Sequence, residues 1–176
     1  SELAKYFSIP ASEIHNCRTY GGHGEQMAVF ASTTFIKDRK LSDLIGTPEM
    51  PAEDWNELKQ RVIQGGKHII ELRGRSSFQS PAYLSICMIA AAMGGPAFEW
   101  PAGMYIQDGK FGHITMAMET TITAQGITCK EVTGTSEEES ELGESYTHLC
   151  KLRDEVIEMG ILPPVKEWNK LNTHIK

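Results

Sequence analysis

The chain has 176 residues, 40% of them hydrophobic and 23% charged, a profile that fits one soluble domain over 1–176. It excludes a disordered polyelectrolyte, a collagen-like fibre and a disulfide-dense miniprotein. The formal net charge is −6 with Lys and Arg scattered, so no nucleic-acid or anionic-membrane partner is expected. The longest apolar stretch, Ile86 to Phe98, runs thirteen residues and falls short of the ~18–20 that a membrane-spanning helix needs.

The opening has neither an initiator Met nor a signal-peptide pattern, and Leu3 and Phe7 stand four apart. Residues 1–7 therefore read as the tail of a helix, and the chain is expected to be part of a longer protein. Ile14 to Tyr20 is predicted as a strand leading into a glycine cluster. Met27 to Ile36, rich in Val, Phe and Thr, is predicted as a second strand, bulged where its alternation falters. Residues 37–51 form a polar connection with one short apolar turn, Leu41 to Ile45.

A long helix is predicted from Ala52. Trp55, Leu58, Val62, Ile69 and Leu72 share a face if it runs through Gly65-Gly66, a pair that marks a kink or a close packing contact. Ser80-Pro81 is a start signal, with Ser as cap and Pro in the first turn. The helix that follows, to about Met93, is apolar on nearly every face and is expected to be the buried central one. Gly94-Gly95-Pro96 stops it.

Ala102 to Gln107 and Phe111 to Glu119 are predicted as a hairpin around a type I′ turn at Asp108-Gly109. Ile114, Met116 and Met118 alternate with Thr115, Ala117 and Glu119, the half-buried strand pattern. Thr121 to Thr123 and Ile127 to Val132 extend the meander. Ser136 with Glu139 is read as a capping box opening a last helix, in which Leu142, Tyr146, Leu149, Val156 and Met159 follow helical spacing to Gly160. Strands and helices are segregated, so the fold class is α+β with an antiparallel sheet packed on long helices.

Cys17, Cys87, Cys129 and Cys150 are far apart, with no CxxC. They read as reduced structural residues, consistent with a cytosol-like compartment. The Glu-rich run from Ser136 to Glu144 reads as a solvated helix face.

Tyr20-Gly21-Gly22-His23-Gly24-Glu25 is the local motif that asks for a chemical explanation. Glycines turn the backbone sharply and leave the imidazole little cover. Imidazole exchanges protons near neutral pH, which suits a general acid or base; the same pattern also suits a turn histidine with no chemical role. The glycine spacing is not a dinucleotide fingerprint, and no GxxxxGK[ST] loop is present. Any phosphate-cradling loop therefore lies outside this chain.

Gly22-His23-Gly24-Glu25 resembles the histidine signature of the NAD-dependent malate/lactate dehydrogenase family. Ile69 to Pro81 resembles the stretch that precedes a buried helix in the same family. The order and length of the elements are similar to that family's C-terminal substrate domain, most closely over 1–93 and less so over 97–135. Pro81 is more similar to the malate than to the lactate branch.

The resemblance implies interconversion of malate and oxaloacetate, as in the tricarboxylic acid cycle, by hydride transfer to NAD. It makes His23 the acid/base, places Ser76 on the substrate-pocket wall, and brings Ser80 and Pro81 near the nicotinamide end of the cofactor. NAD would be held mainly by an N-terminal nucleotide-binding domain of the same protein. A homodimer or homotetramer in the cytoplasm or an organelle matrix would follow, with no metal.

The family's Asp-x-x-Arg motif, whose Asp orients the histidine and whose Arg grips the substrate carboxylate, has no counterpart here and would precede Ser1. Arg18, in the strand before His23, does not match that Arg and reads as structural. Arg73-Gly74-Arg75 and the diverging hairpin depart from the pattern and leave substrate choice open between malate, lactate and another 2-hydroxy acid. Two other classes compete. His15, Cys17 and His23 could form a metal site, though no fourth ligand is apparent. The apolar helices would also suit a non-catalytic oligomerisation module.

Overall fold

The computed structural model describes residues 2–168. Helix α1 (Glu2–Phe7) leads through a 3-10 turn to β1 (Ile14–His15) and β2 (Arg18–Gly21). The strand predicted over 14–20 is split at Asn16, whose φ of +54° breaks the extended run; asparagine tolerates that left-handed region better than most residues. The strand predicted over 27–36 is likewise two, β3 (Met27–Phe30) and β4 (Phe35–Ile36). The Thr33 and Thr34 hydroxyls both donate to the Phe30 carbonyl, at 3.3 and 3.0 Å, and fold the chain into a turn between them. With β5 (Arg39–Lys40), β1 and β4 form a small antiparallel sheet.

The helix predicted from Ala52 is α2 (Ala52–Ile63) and α3 (Gly65–Arg73), broken at Gln64. A Cβ at Gly65 or Gly66 would meet nothing within 4 Å, so the glycine pair marks a kink rather than a close contact. The kink also ends the shared apolar face. Trp55 and Leu58 are buried, but Ile69 and Leu72 are exposed. Gly74, at φ +68°, closes α3 by donating its N–H to the Ile70 carbonyl at 2.8 Å.

Helix α4 (Gln79–Ala92) corrects two expectations. Phe78, not Ser80, is its N-cap, and no side chain caps it. The first-turn N–H groups need no intrahelical partner, so Pro81 is tolerated as third residue and the helix starts earlier than its proline suggests. Nor is α4 buried. Ala91 alone is fully covered, while Tyr83, Ile86, Ile89 and Met93 are 68, 64, 59 and 83% exposed. One face packs on β6 (Phe98–Ile106) and β7 (Ile114–Thr123); the opposite face has no partner layer among the described residues.

β6 and β7 pair from Phe98↔Ile122 to Ile106↔Ile114. The predicted two-residue turn is instead a loop over 107–113, and the second strand begins at Ile114 rather than Phe111. Phe111 is drawn inward as a loop anchor: its ring lies 5.4 Å from that of Tyr146, whose hydroxyl donates to the Gly112 carbonyl at 3.1 Å. In β7 the predicted alternation holds, with Ile114, Met116 and Met118 buried, and it extends to Thr120 and Ile122. The five-stranded antiparallel sheet has the order β3-β2-β7-β6. β8 (Gly126–Lys130) shares the β7 edge that β2 touches at Gly21↔Ala117.

Helix α5 (Ser136–Glu158) lies across this sheet. Its capping box is Thr135 with Glu138, one residue before the predicted pair. Glu138 is recruited because its carboxylate also accepts the Ser32 N–H at 2.9 Å and the Ser32 hydroxyl at 2.6 Å. Leu142 inserts between Tyr20, Phe30, Met116 and Met118 to form the core under β2 and β3, a burial worth ~1.5–3 kcal/mol for one such side chain. A second core joins α1, the small sheet and α2 through Leu41, Leu44, Met50 and Leu58. The chain is α+β with antiparallel sheets, as its segregated pattern implies.

Candidate active site

The His23 motif closes the β2–β3 hairpin, whose register runs from Arg18↔Phe30 to Gly21↔Met27. His23 is extended, at φ −99° and ψ 149°, and a 3-10 turn over Gly24–Gln26 follows it. Gly21 sits at φ +84°, and a Cβ there would collide with the Ser145 side chain. Gly24, at φ +67°, has open space around it, so its glycine answers the backbone angle alone. The Gly22 N–H donates to Ser145 Oγ at 2.8 Å, and the Ser145 hydroxyl donates to the Gln26 carbonyl at 2.5 Å.

His23 itself is exposed and makes no hydrogen bond or ion pair with any described residue. Both ring nitrogens are open to a ligand. The turn beneath it packs against α2, α3 and α5. A cleft of about 250 Å³ lies under Glu25 and Gln26, walled by Lys59, Ile63 and Glu141. Lys59, only 9% exposed, pairs with Glu141 and ties α2 to α5. A wider groove of about 660 Å³ runs between α1 and the α2–α3 kink, past Lys5, Arg61, Lys67 and His68. There the hydrogen bond from Lys5, at 2.8 Å, holds the Glu2 carboxyl below the usual range.

Tyr20, one pair short of the hairpin's loop end, donates to Glu119 Oε2 at 2.6 Å. Burial first, and that carboxylate second, push its hydroxyl far above the ordinary tyrosine range. Arg18 Nε lies 3.4 Å from the same oxygen, and its guanidinium stacks over Trp100 at 4.7 Å. Arg18 is thus a structural residue that braces the sheet, as its place in the sequence implies.

Ser76 lies between α3 and α4, and Ser80 and Pro81 occupy the first turn of α4. All three are exposed. The Ser76 and Ser80 hydroxyls make no hydrogen bond with described residues, and none links either to His23. What connects the two regions is α3, which packs on the 24–26 turn and ends just before Ser76. Among the described residues no three His, Cys, Asp or Glu side chains converge as metal ligands, so His15, Cys17 and His23 do not come together as a site. All four cysteines are free thiols.

Sequence reasoning missed Ser145. Its signal is a serine at a core-facing position of α5, three residues after Leu142 and four before Leu149. Its partners lie 123 and 119 residues away in sequence, so no local pattern marks them.

The chain is 27% identical over 157 residues to malate dehydrogenase of Sorangium cellulosum, covering 88% of this chain and 48% of that protein. It superimposes on malate dehydrogenase of Plasmodium falciparum, determined in complex with NADH, with a TM-score of 0.79 at 20% identity. That match covers 92% of this chain and 53% of the other. Lactate dehydrogenase of Eimeria maxima, determined with NADH and oxamate, gives a TM-score of 0.79 at 17% identity, covering 93% and 51%. The chain spans about half, or less, of the length of the curated relatives it matches. Residues 1–158 match the family described as lactate/malate dehydrogenase, alpha/beta C-terminal domain, and the chain belongs to that family.

Proposed function

We propose that this chain is the substrate-handling domain of an NAD-dependent dehydrogenase that interconverts malate and oxaloacetate. His23 is its proton carrier. The observation that carries this reading is the uncovered imidazole at the tip of a hairpin whose backbone is fixed from below. A rigid support with a free side chain is what a group needs to meet a substrate hydroxyl without reorganising first.

In the oxidising direction neutral His23 accepts the proton of the 2-hydroxyl as the C2–O bond becomes a carbonyl. In the reverse direction imidazolium returns that proton to the developing alkoxide. When bound, the dinucleotide supplies the acceptor for the hydride that leaves C2.

The residues here fit only the nicotinamide end of such a cofactor. Ser80 and Pro81 are both exposed at the start of α4, and no glycine-rich phosphate loop accompanies them in the sequence. Ser76 stands as pocket wall. An N-terminal nucleotide-binding domain of the same protein completes the enzyme. The exposed apolar face of α4 is the surface on which that domain, or a second copy in a homodimer or homotetramer, would rest.

Malate is favoured over lactate by Pro81 and by the malate dehydrogenases among the curated relatives. Initial rates of NAD reduction by the complete enzyme, measured with malate, lactate and other 2-hydroxy acids, test the choice. Malate is expected to have the highest kcat/KM; a preference for lactate would overturn the substrate assignment while leaving His23 in place.

A further inference from the structure

The inward stripe of α5 runs through Glu138, Leu142, Ser145 and Leu149. Glu138 serves the cap, and the two leucines fill core. Ser145 is 3% exposed and fills little. A helical serine commonly turns its hydroxyl back to the carbonyl four residues earlier, as Thr147 does to Gly143 at 2.9 Å. The Ser145 proton goes instead to the Gln26 carbonyl, while its oxygen accepts the Gly22 N–H. One hydroxyl can donate once and accept twice, so both bonds coexist. They reach the chain on either side of His23, one residue before it and three after.

We propose that Ser145 is a positioning residue for the His23 loop: its hydroxyl pins both flanks of the hairpin tip and so holds the imidazole at the height and angle that proton transfer requires. This rests on His23 as proton carrier. Three further observations support it. Among the described residues His23 has no side-chain partner, so its backbone is what aims it. The loop is moulded to this one side chain, since a Cβ at Gly21 would lie 3.0 Å from Ser145 Cβ. Finally, the turn also packs on α2 and α3, while the Ser145 hydroxyl makes the hydrogen bonds that tie its two flanks to α5.

The test pairs a readout on this chain with one on the complete enzyme. In the chain, Ser145→Ala is expected to speed hydrogen exchange at the Gly22 amide at least ~10-fold, because that amide loses its acceptor. In the enzyme, Ser145→Ala is expected to lower kcat for malate by ~10–100-fold, the scale of a misplaced reacting group. KM should move less than ~3-fold, and Ser145→Thr, which keeps the hydroxyl, should recover most of kcat. Placed on His23→Gln, Ser145→Ala should add less than ~2-fold further loss, since a loop with no proton carrier has nothing to aim.

Unchanged Gly22 exchange, or kcat within ~2-fold of wild type, would overturn the proposal. If Ser145→Ala does not fold, Ser145→Cys, similar in shape but a weak hydrogen-bonding group, carries the same readouts. Should His23→Gln retain full activity, the proton-carrier reading fails, and the exchange measurement still decides whether Ser145 holds the loop.

Discussion

Glu138 is where the hairpin's supporting helix is fastened to the sheet, and its removal gives a stability change that the structure sizes. The carboxylate is 5% exposed and accepts three donors: Ser32 N–H at 2.9 Å, Ser32 O–H at 2.6 Å and Thr135 N–H at 2.8 Å. Losing the reciprocal cap costs about 1 kcal/mol. Losing the bonds to Ser32, made by an ionisable acceptor, costs about 1.5–3 kcal/mol after partial rehydration of the half-buried serine. Glu138→Ala is therefore expected to destabilise the chain by about 2–4 kcal/mol, or roughly 5–15 °C in Tm for a domain of this size. Glu138→Gln keeps one acceptor oxygen but turns an amide donor toward other donors, and should lose about half as much. Urea denaturation followed by circular dichroism measures both, with an unchanged slope marking an unchanged native state. A loss below about 1 kcal/mol for Glu138→Ala, or a greater loss for Gln than for Ala, would refute this account of how α5 is anchored.

Gly21→Ala and Gly24→Ala separate steric crowding from backbone strain. Both incur the left-handed penalty of about 1–2 kcal/mol, but only Gly21 meets a side chain, so chemical denaturation should find it the more damaging. Tyr20 has a folded-state pKa raised by burial and by Glu119. A proton bound more tightly in the folded chain stabilises it below the unfolded pKa, and that contribution disappears as pH climbs. Wild type should therefore lose stability above about pH 10, and Tyr20→Phe should flatten that decline, seen as a smaller fall in urea midpoint between about pH 9 and 11. On α4 and at its C-cap, Ile86→Lys and Met93→Lys alter side chains that are 64 and 83% exposed. Each should shift the stability of this chain by no more than about 0.5 kcal/mol, yet weaken assembly of the complete enzyme by sedimentation.

Patterns carried by a single element were legible in the sequence. The alternation in β7, the kink at Gly65-Gly66, the stop at Gly160 and the glycine-flanked histidine all stand where local chemistry puts them. What failed depended on partners. The composition of α4 says that it must be covered, but not by which layer, and this chain covers one side of it. The strands over 14–20 and 27–36 were too long on paper because each breaks to move between two sheets, a tertiary decision taken at Asn16 and at the Thr33–Thr34 turn. Phe111 left its strand because Tyr146, from α5, offers it a place in the core. In the candidate site, His23 could be read from its neighbours in sequence, whereas Ser145 could not.

The central claim is that the exposed imidazole of His23 carries the substrate's proton, and His23→Asn in the complete enzyme tests it most directly. The account predicts that kcat/KM for malate falls by ~10²–10⁴-fold while NADH still binds with near wild-type affinity; activity within ~10-fold of wild type would contradict it.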